Sequence, residues 1–156
     1  MKRFTANGAA LLSAGATTDP LALGDNLWLH VKVYSTGGEN GLHYHPREDH
    51  AFFVLQGQAT FYDENGQATV VGRNDGVMLP KGTRYRFHSS DRENLVLLRA
   101  GGGQRTGSPS DEGTPEYPGP MYERMGADGQ PLPGDSPENK TPSMPPARIP
   151  GAFFGA

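Results

Sequence analysis

Apolar and polar residues alternate with a period of two along much of the first hundred positions. Leu27, Leu29, Val31 and Val33 interleave with Trp28, His30, Lys32 and Tyr34, the pattern of a strand with one face on a core and one toward water. That reading places His30 on the surface. Ala51-Phe52-Phe53-Val54-Leu55 is a second strand, ending at Gly57, and Ala59-Thr60-Phe61-Tyr62 a third. Asp63-Glu64-Asn65-Gly66 has the composition of a hairpin turn, from which Thr69-Val70-Val71 returns. Val77-Met78-Leu79 leads to the turn Pro80-Lys81-Gly82, and Arg84–His88 and Leu95–Leu98 complete the series. Short strands punctuated by turn residues at this spacing predict an all-β sandwich or barrel. The stretch Ala9–Ala22 fits a short helix or an edge strand equally well.

Composition divides the chain. Most of its 14 prolines follow Gly101. Residues 101–156 show neither helical period nor strand alternation, and such a segment cannot form a core of its own. It nevertheless carries Tyr117, Met121, Tyr122, Met125, Ile149, Phe153 and Phe154. These large apolar groups predict an extended arm packed on its own barrel or on a neighbouring subunit. The expected organisation is an N-terminal segment (1–24), a barrel (25–100) and a Gly/Pro-rich C-terminal arm (101–156). The whole length of 156 residues suits one domain.

Charge and cysteine content narrow the function. With no cysteine, disulfides, zinc ribbons and thiol nucleophiles are excluded. A net charge of -3 without a basic stripe argues against nucleic acid. No apolar run approaches membrane-spanning length. The beginning, Met1-Lys2-Arg3 before Ala9-Ala10-Leu11-Leu12, is too short and too interrupted by Asn7 and Gly8 for a signal peptide. A cytoplasmic protein is expected.

The chemistry concentrates in Gly41-Leu42-His43-Tyr44-His45-Pro46-Arg47-Glu48-Asp49-His50. His43 and His45, two apart, share one face of a strand. His50 shares the face of Phe52 and Val54, which by pattern is the barrel interior. Three imidazoles converging inside a barrel leave open positions on a metal, the form of a catalytic site. Glu48 and Asp49 could supply a stand-in carboxylate, Asp49 if His50 turned outward; a surface hydrogen bond from His50 to either is the bland alternative. Arg47, Arg84 and Arg86 read as solvated charges, any one of which could hold a substrate carboxylate at the barrel mouth. Phe52, Phe61, Tyr62 and Phe87 read as core or cavity lining. Gly37-Gly38 and Gly101-Gly102-Gly103 read as turns or hinges, since no helix follows to cradle a phosphate.

The spacing Gly37-x5-His43-x-His45-x4-His50-x6-Gly57 resembles the first cupin motif, and Asp75-x4-Pro80-x-Gly82-x2-Tyr85 resembles the second. The resemblance covers residues 25 to 100. It implies a double-stranded β-helix (jelly-roll) barrel that forms a homodimer and acts on a small molecule. It also implies a divalent metal on His43, His45, His50 and Tyr85, with Fe(II) favoured and Mn, Ni, Cu or Zn open. Two positions depart from the family. His50 stands where glutamate is usual, and Tyr85 where the last histidine is usual. A phenol near its ordinary pKa of about 10 is a poor ligand, so Tyr85 is expected as a fourth ligand or as a catalytic acid beside the metal. His88, three residues on, belongs to the other strand face. The implied activity is that of a dioxygenase, with a metal-dependent lyase or isomerase as its near relative and a non-catalytic small-ligand-binding module as the alternative. A sugar-nucleotide epimerase would need a base and a pyrophosphate clamp that the sequence does not display.

Overall fold

A computed structural model describes residues 1–35, 40–89, 93–103 and 144–156, and the backbone of 123–124. No helix occurs among them. The strands are β1 (Ala10–Ala14), β2 (Ala16–Leu23), β3 (Leu27–Tyr34), β4 (Asn40–Tyr44), β5 (Glu48–Gln56), β6 (Ala59–Asp63), β7 (Ala68–Val71), β8 (Gly76–Leu79), β9 (Tyr85–Ser89), β10 (Leu95–Gly103), β11 (Glu123–Arg124) and β12 (Ala147–Phe153). They form two five-stranded antiparallel sheets, β2-β3-β10-β5-β8 and β11-β4-β9-β6-β7, and a β1–β12 ribbon. The strand spacing predicts an all-β sandwich or barrel, and the two sheets take the double-stranded β-helix form that the cupin resemblance implies.

The two five-stranded sheets close on a core of Tyr34, Phe52, Val54, Ala59, Phe61, Val71, Tyr85, Phe87, Leu95 and Leu97. Each of these large apolar side chains contributes about 1.5–3 kcal/mol on leaving water. The turn from β5 into β6 runs through Gly57 at φ 76°, where a Cβ would lie 2.8 Å from the Asn94 carbonyl oxygen. Glycine suits that position on both counts.

β3 differs from the half-buried strand its alternation predicts. Val31 and Val33 pack with Ala9, Leu12 and Val96 in a second cluster, while Trp28, Lys32 and Tyr34 on the opposite face are also buried. The apolar face thus meets the β1–β12 layer, and the more polar face becomes the wall of the barrel. His30 lies half-buried on that wall, its ring stacked on Trp28 with centroids 4.5 Å apart. It is not a plain surface residue, because its face of β3 is the barrel wall it shares with Trp28, Lys32 and Tyr34.

The ambiguous Ala9–Ala22 stretch becomes β1 and β2, and β2 is the edge strand of its sheet. Gly101-Gly102-Gly103 is not a hinge: it continues β10 between β3 and β5. The arm is strand where β11 lies against β4 and where β12 pairs with β1. Phe154 packs on the second cluster, whereas Ile149 and Phe153 are exposed. Gly37, Gly38, Tyr117, Met121, Tyr122 and Met125 lie outside the described residues.

Candidate functional site

Strict alternation along β5 decides which side chains enter the barrel. Glu48, His50, Phe52 and Val54 are buried, while Asp49 and Phe53 are exposed. The Asp49 carboxylate accepts the Lys81 backbone N–H at 2.8 Å. Asp49 is therefore not the stand-in carboxylate. A two-residue period that sends His50 inward must send Asp49 out and Glu48 in. His43 and His45, also two apart, are both buried. The Gly82 N–H donates to the His45 carbonyl oxygen at 2.9 Å, which pins the β8–β9 turn to the end of β4.

The hydrogen bonds fix the imidazole tautomers. His43 Nδ1 lies 2.8 Å from the Gly41 carbonyl. A carbonyl only accepts, so Nδ1 carries the proton and Nε2 the lone pair. Arg99 Nη2 lies 2.9 Å from His50 Nδ1 and 3.2 Å from His45 Nε2. A guanidinium only donates, so both ring nitrogens present lone pairs to it. The proton of neutral His50 is then on Nε2, which donates to Glu48 Oε2 at 3.2 Å. The second Glu48 oxygen accepts from Trp28 Nε1 at 3.0 Å. Burial holds the His50 pKa below its ordinary value, an effect that the hydrogen bond to Glu48 partly opposes.

β10 supplies the remaining geometry. Residues directly opposed in register share a face, so Arg99 stands between His30 on β3 and Phe52 on β5, and Gly101 between Trp28 and His50. The guanidinium carbon sits 5.0 Å from the Trp28 ring centre and 5.3 Å from that of Phe52. A Cβ on Gly101 would fall 2.0 Å from the Trp28 ring. Only glycine lets the indole lie across β10 and reach Glu48. Lys32 on the same wall is buried, and burial first, then Arg99, lowers its pKa to about 7.

Tyr85 lies opposite His43 in the β4–β9 register, with ring centres 4.4 Å apart. Burial raises its pKa to about 12, so the phenol keeps its proton and presents a hydrogen-bond donor. Tyr62, expected to line the core or cavity, borders a pocket with Phe61 and Tyr85, but its ring lies on the outer face. Its ring packs between Arg86, 4.1 Å away, and His88, at 5.4 Å; pairing Phe61 with Phe87 on the inside turns the pairs on either side outward. Arg84 is an exposed partner of Glu64 at 2.8 Å. Arg99, Lys32 and Trp28 escaped the sequence reading. The parity of β10 could have exposed Arg99, which stands two residues after the core residue Leu97.

His45, Glu48 and His50 each place a ligand-type atom within 4.8 Å of the others. Two converging imidazole lone pairs beside a carboxylate suit a divalent transition metal. The Glu48–His50 contact is the carboxylate–histidine arrangement that orients a metal-bound imidazole. The donor chemistry therefore fits a metal, and Arg99 Nη2 sits where the two lone pairs point.

The Cupin domain family profile matches residues 30–100. The uncharacterized protein YdbB of Bacillus subtilis is 36% identical over 59 residues, 38% of this chain and 52% of that protein. The match thus spans about half the relative's length. A Klebsiella pneumoniae protein described as uncharacterized, with a double-stranded beta-helix domain, superposes with a TM-score of 0.54 at 18% identity, covering 60% of this chain and 76% of the other. KdgF from a Halomonas species superposes at 0.53 and 19% identity, covering 58% and 81%. At these identities the structures speak for the fold alone.

Proposed function

From the match of residues 30–100 to the Cupin domain family we propose that the chain is a cupin and a metal-dependent enzyme acting on a small organic molecule. The observation that carries the proposal is the convergence of the His45 Nε2 and His50 Nδ1 lone pairs inside the barrel. His45 and His50 would hold the ion, with His43, whose Nε2 lone pair is set by the Gly41 contact, as the third imidazole. Fe(II) is favoured, and Mn, Ni, Cu and Zn suit the same donors. The bound ion supplies Lewis acidity and open coordination positions, the chemistry of a dioxygenase first and of a lyase or isomerase second.

The chain's own residues do the rest. Glu48 holds the proton of His50 at Nε2, and Trp28 holds Glu48. Phe52, Phe61 and Phe87 keep the floor of the site dry. Tyr85 retains its phenolic proton beside His43 and donates a hydrogen bond to a substrate oxygen.

The position of Arg99 favours a second reading, a non-catalytic module that binds its ligand without metal. Elemental analysis of the protein prepared without a histidine tag, as wild type and His45→Ala, decides between them. Near-stoichiometric metal in the wild type and its loss in the variant support the enzyme. Absence of metal from both, even after reconstitution, supports the binding module.

A further inference from the structure

Arg99 is an unusual neighbour for two imidazole lone pairs. Its Nη2 donates to His45 and His50, while its Nε is buried without a hydrogen-bond partner. Trp28 and Phe52 flank the half-buried guanidinium. Lys32 on the neighbouring strand adds a second cationic group to the same wall. The carboxylate of the cluster, Glu48, is committed to Trp28 and His50. The wall around Arg99 thus has a buried donor left over, the Nε–H.

The Nε and Nη2 groups form one edge of the guanidinium, the edge that grips a carboxylate through two parallel hydrogen bonds. Nη2 has two protons, both now directed to histidines. A carboxylate on this edge satisfies the buried Nε–H and takes one Nη2 proton, drawing Nη2 away from at least one imidazole. A dication cannot share the two lone pairs with a guanidinium about 3 Å from each, because the like charges repel.

We propose that Arg99 is both the receptor for a small carboxylate ligand and the occupant of the metal position, so that carboxylate and metal bind with mutual reinforcement. The substrate class is then a small organic carboxylate. This rests on the reading of the histidines as a metal site. The coupling is reciprocal: whatever factor the carboxylate lends to metal affinity, the metal lends to carboxylate affinity.

Co(II) titration followed by calorimetry tests it, on the full chain as wild type, Arg99→Gln and Arg99→Lys, each alone, with acetate, and with acetamide as the uncharged control. Arg99→Gln is expected to bind Co(II) at least about tenfold more tightly than wild type, since the competitor is gone. Acetate is expected to tighten Co(II) binding to wild type by about fivefold or more, to leave Arg99→Gln unchanged, and acetamide to act on neither. Equal Co(II) affinity in wild type and Arg99→Gln, or an equal effect of acetate on both, overturns the role of Arg99 while the metal site stands. No Co(II) binding by any of the three overturns the metal site itself, and this coupling with it. Should Arg99→Gln not fold, as read by its thermal melt, Arg99→Lys decides. A compact ammonium cannot hold both imidazoles and a carboxylate edge, so its acetate effect should fall at least threefold, and an effect as large as that of wild type overturns the proposal.

Discussion

Replacing Lys32 with methionine removes a charge from the barrel wall while keeping the length of the side chain. Lys32 is 8% exposed, and its ammonium lies 5.2 Å from the Tyr34 ring centre. Its pKa falls from 10.5 to about 7, through desolvation first and then repulsion from Arg99. The folded state therefore holds the proton less firmly than the unfolded chain. Between about pH 7 and 10.5 the unfolded chain binds more protons, and the wild-type fold gains stability as pH rises. Below pH 7 the whole penalty is present, about 5 kcal/mol at 1.36 kcal/mol for each pH unit of displacement. Relative to Lys32→Met, wild type should gain about 2 kcal/mol from pH 7 to pH 9. At a urea dependence of about 1–3 kcal/mol per molar, the gap between the two urea midpoints should narrow by about 1 M. Between pH 7 and pH 9 the other titrating groups nearly cancel in the difference, His50, which Lys32 helps to lower, titrating below that range. Urea unfolding of both at pH 6, 7, 8 and 9, followed by Trp28 fluorescence, is the assay. A gap that stays constant, or widens with pH, would refute the burial of an ionisable Lys32 in the barrel.

Other perturbations test separate links. Gly101→Ala drives a methyl into the Trp28 ring, and a loss of about 1–3 kcal/mol with altered tryptophan fluorescence is expected from chemical denaturation; an unchanged spectrum would mean the indole does not cross β10. Glu48→Ala leaves the Trp28 and His50 N–H groups without their acceptor and should cost about 1–3 kcal/mol and weaken Co(II) binding, whereas Asp49→Ala on the outer face should change stability by about 0.5 kcal/mol or less and leave Co(II) affinity alone. Calorimetric titration giving equal effects for the two would invalidate the β5 parity. Asn94→Ala removes the side chain that both accepts from and donates to the Leu12 backbone; a fall of about 1–3 kcal/mol in unfolding free energy is expected, and a neutral result would show that this bond pair does not tie β1 to the barrel.

By itself the sequence determined the elements that depend on neighbouring positions. Turn residues and two-residue alternation indicated β3 and the strands from β5 to β10, and the same alternation along His50, Phe52 and Val54 pointed these side chains of β5 into the barrel. Glu48 has the same parity as His50 and is buried with it, whereas Asp49, the expected stand-in if His50 turned outward, faces away. The spacing of His43, His45 and His50 identified the region of the site. Only the tertiary structure decided what lies across from these residues. β3 proved buried on both faces because β1 packs on its apolar side, joined there by Phe154 from the far end of the chain. Arg99 became the centre of the site through registers that set it between His30 and Phe52, strands separated from it by 69 and 47 positions. Gly101, which reads as a turn or hinge, is strand because β10 pairs there with β3 and β5, and an indole from β3 occupies the place a side chain would take. Local patterning reports which face a residue takes. The partner on that face is set by strand pairing between segments far apart along the chain, and one sequence carries no period that encodes it.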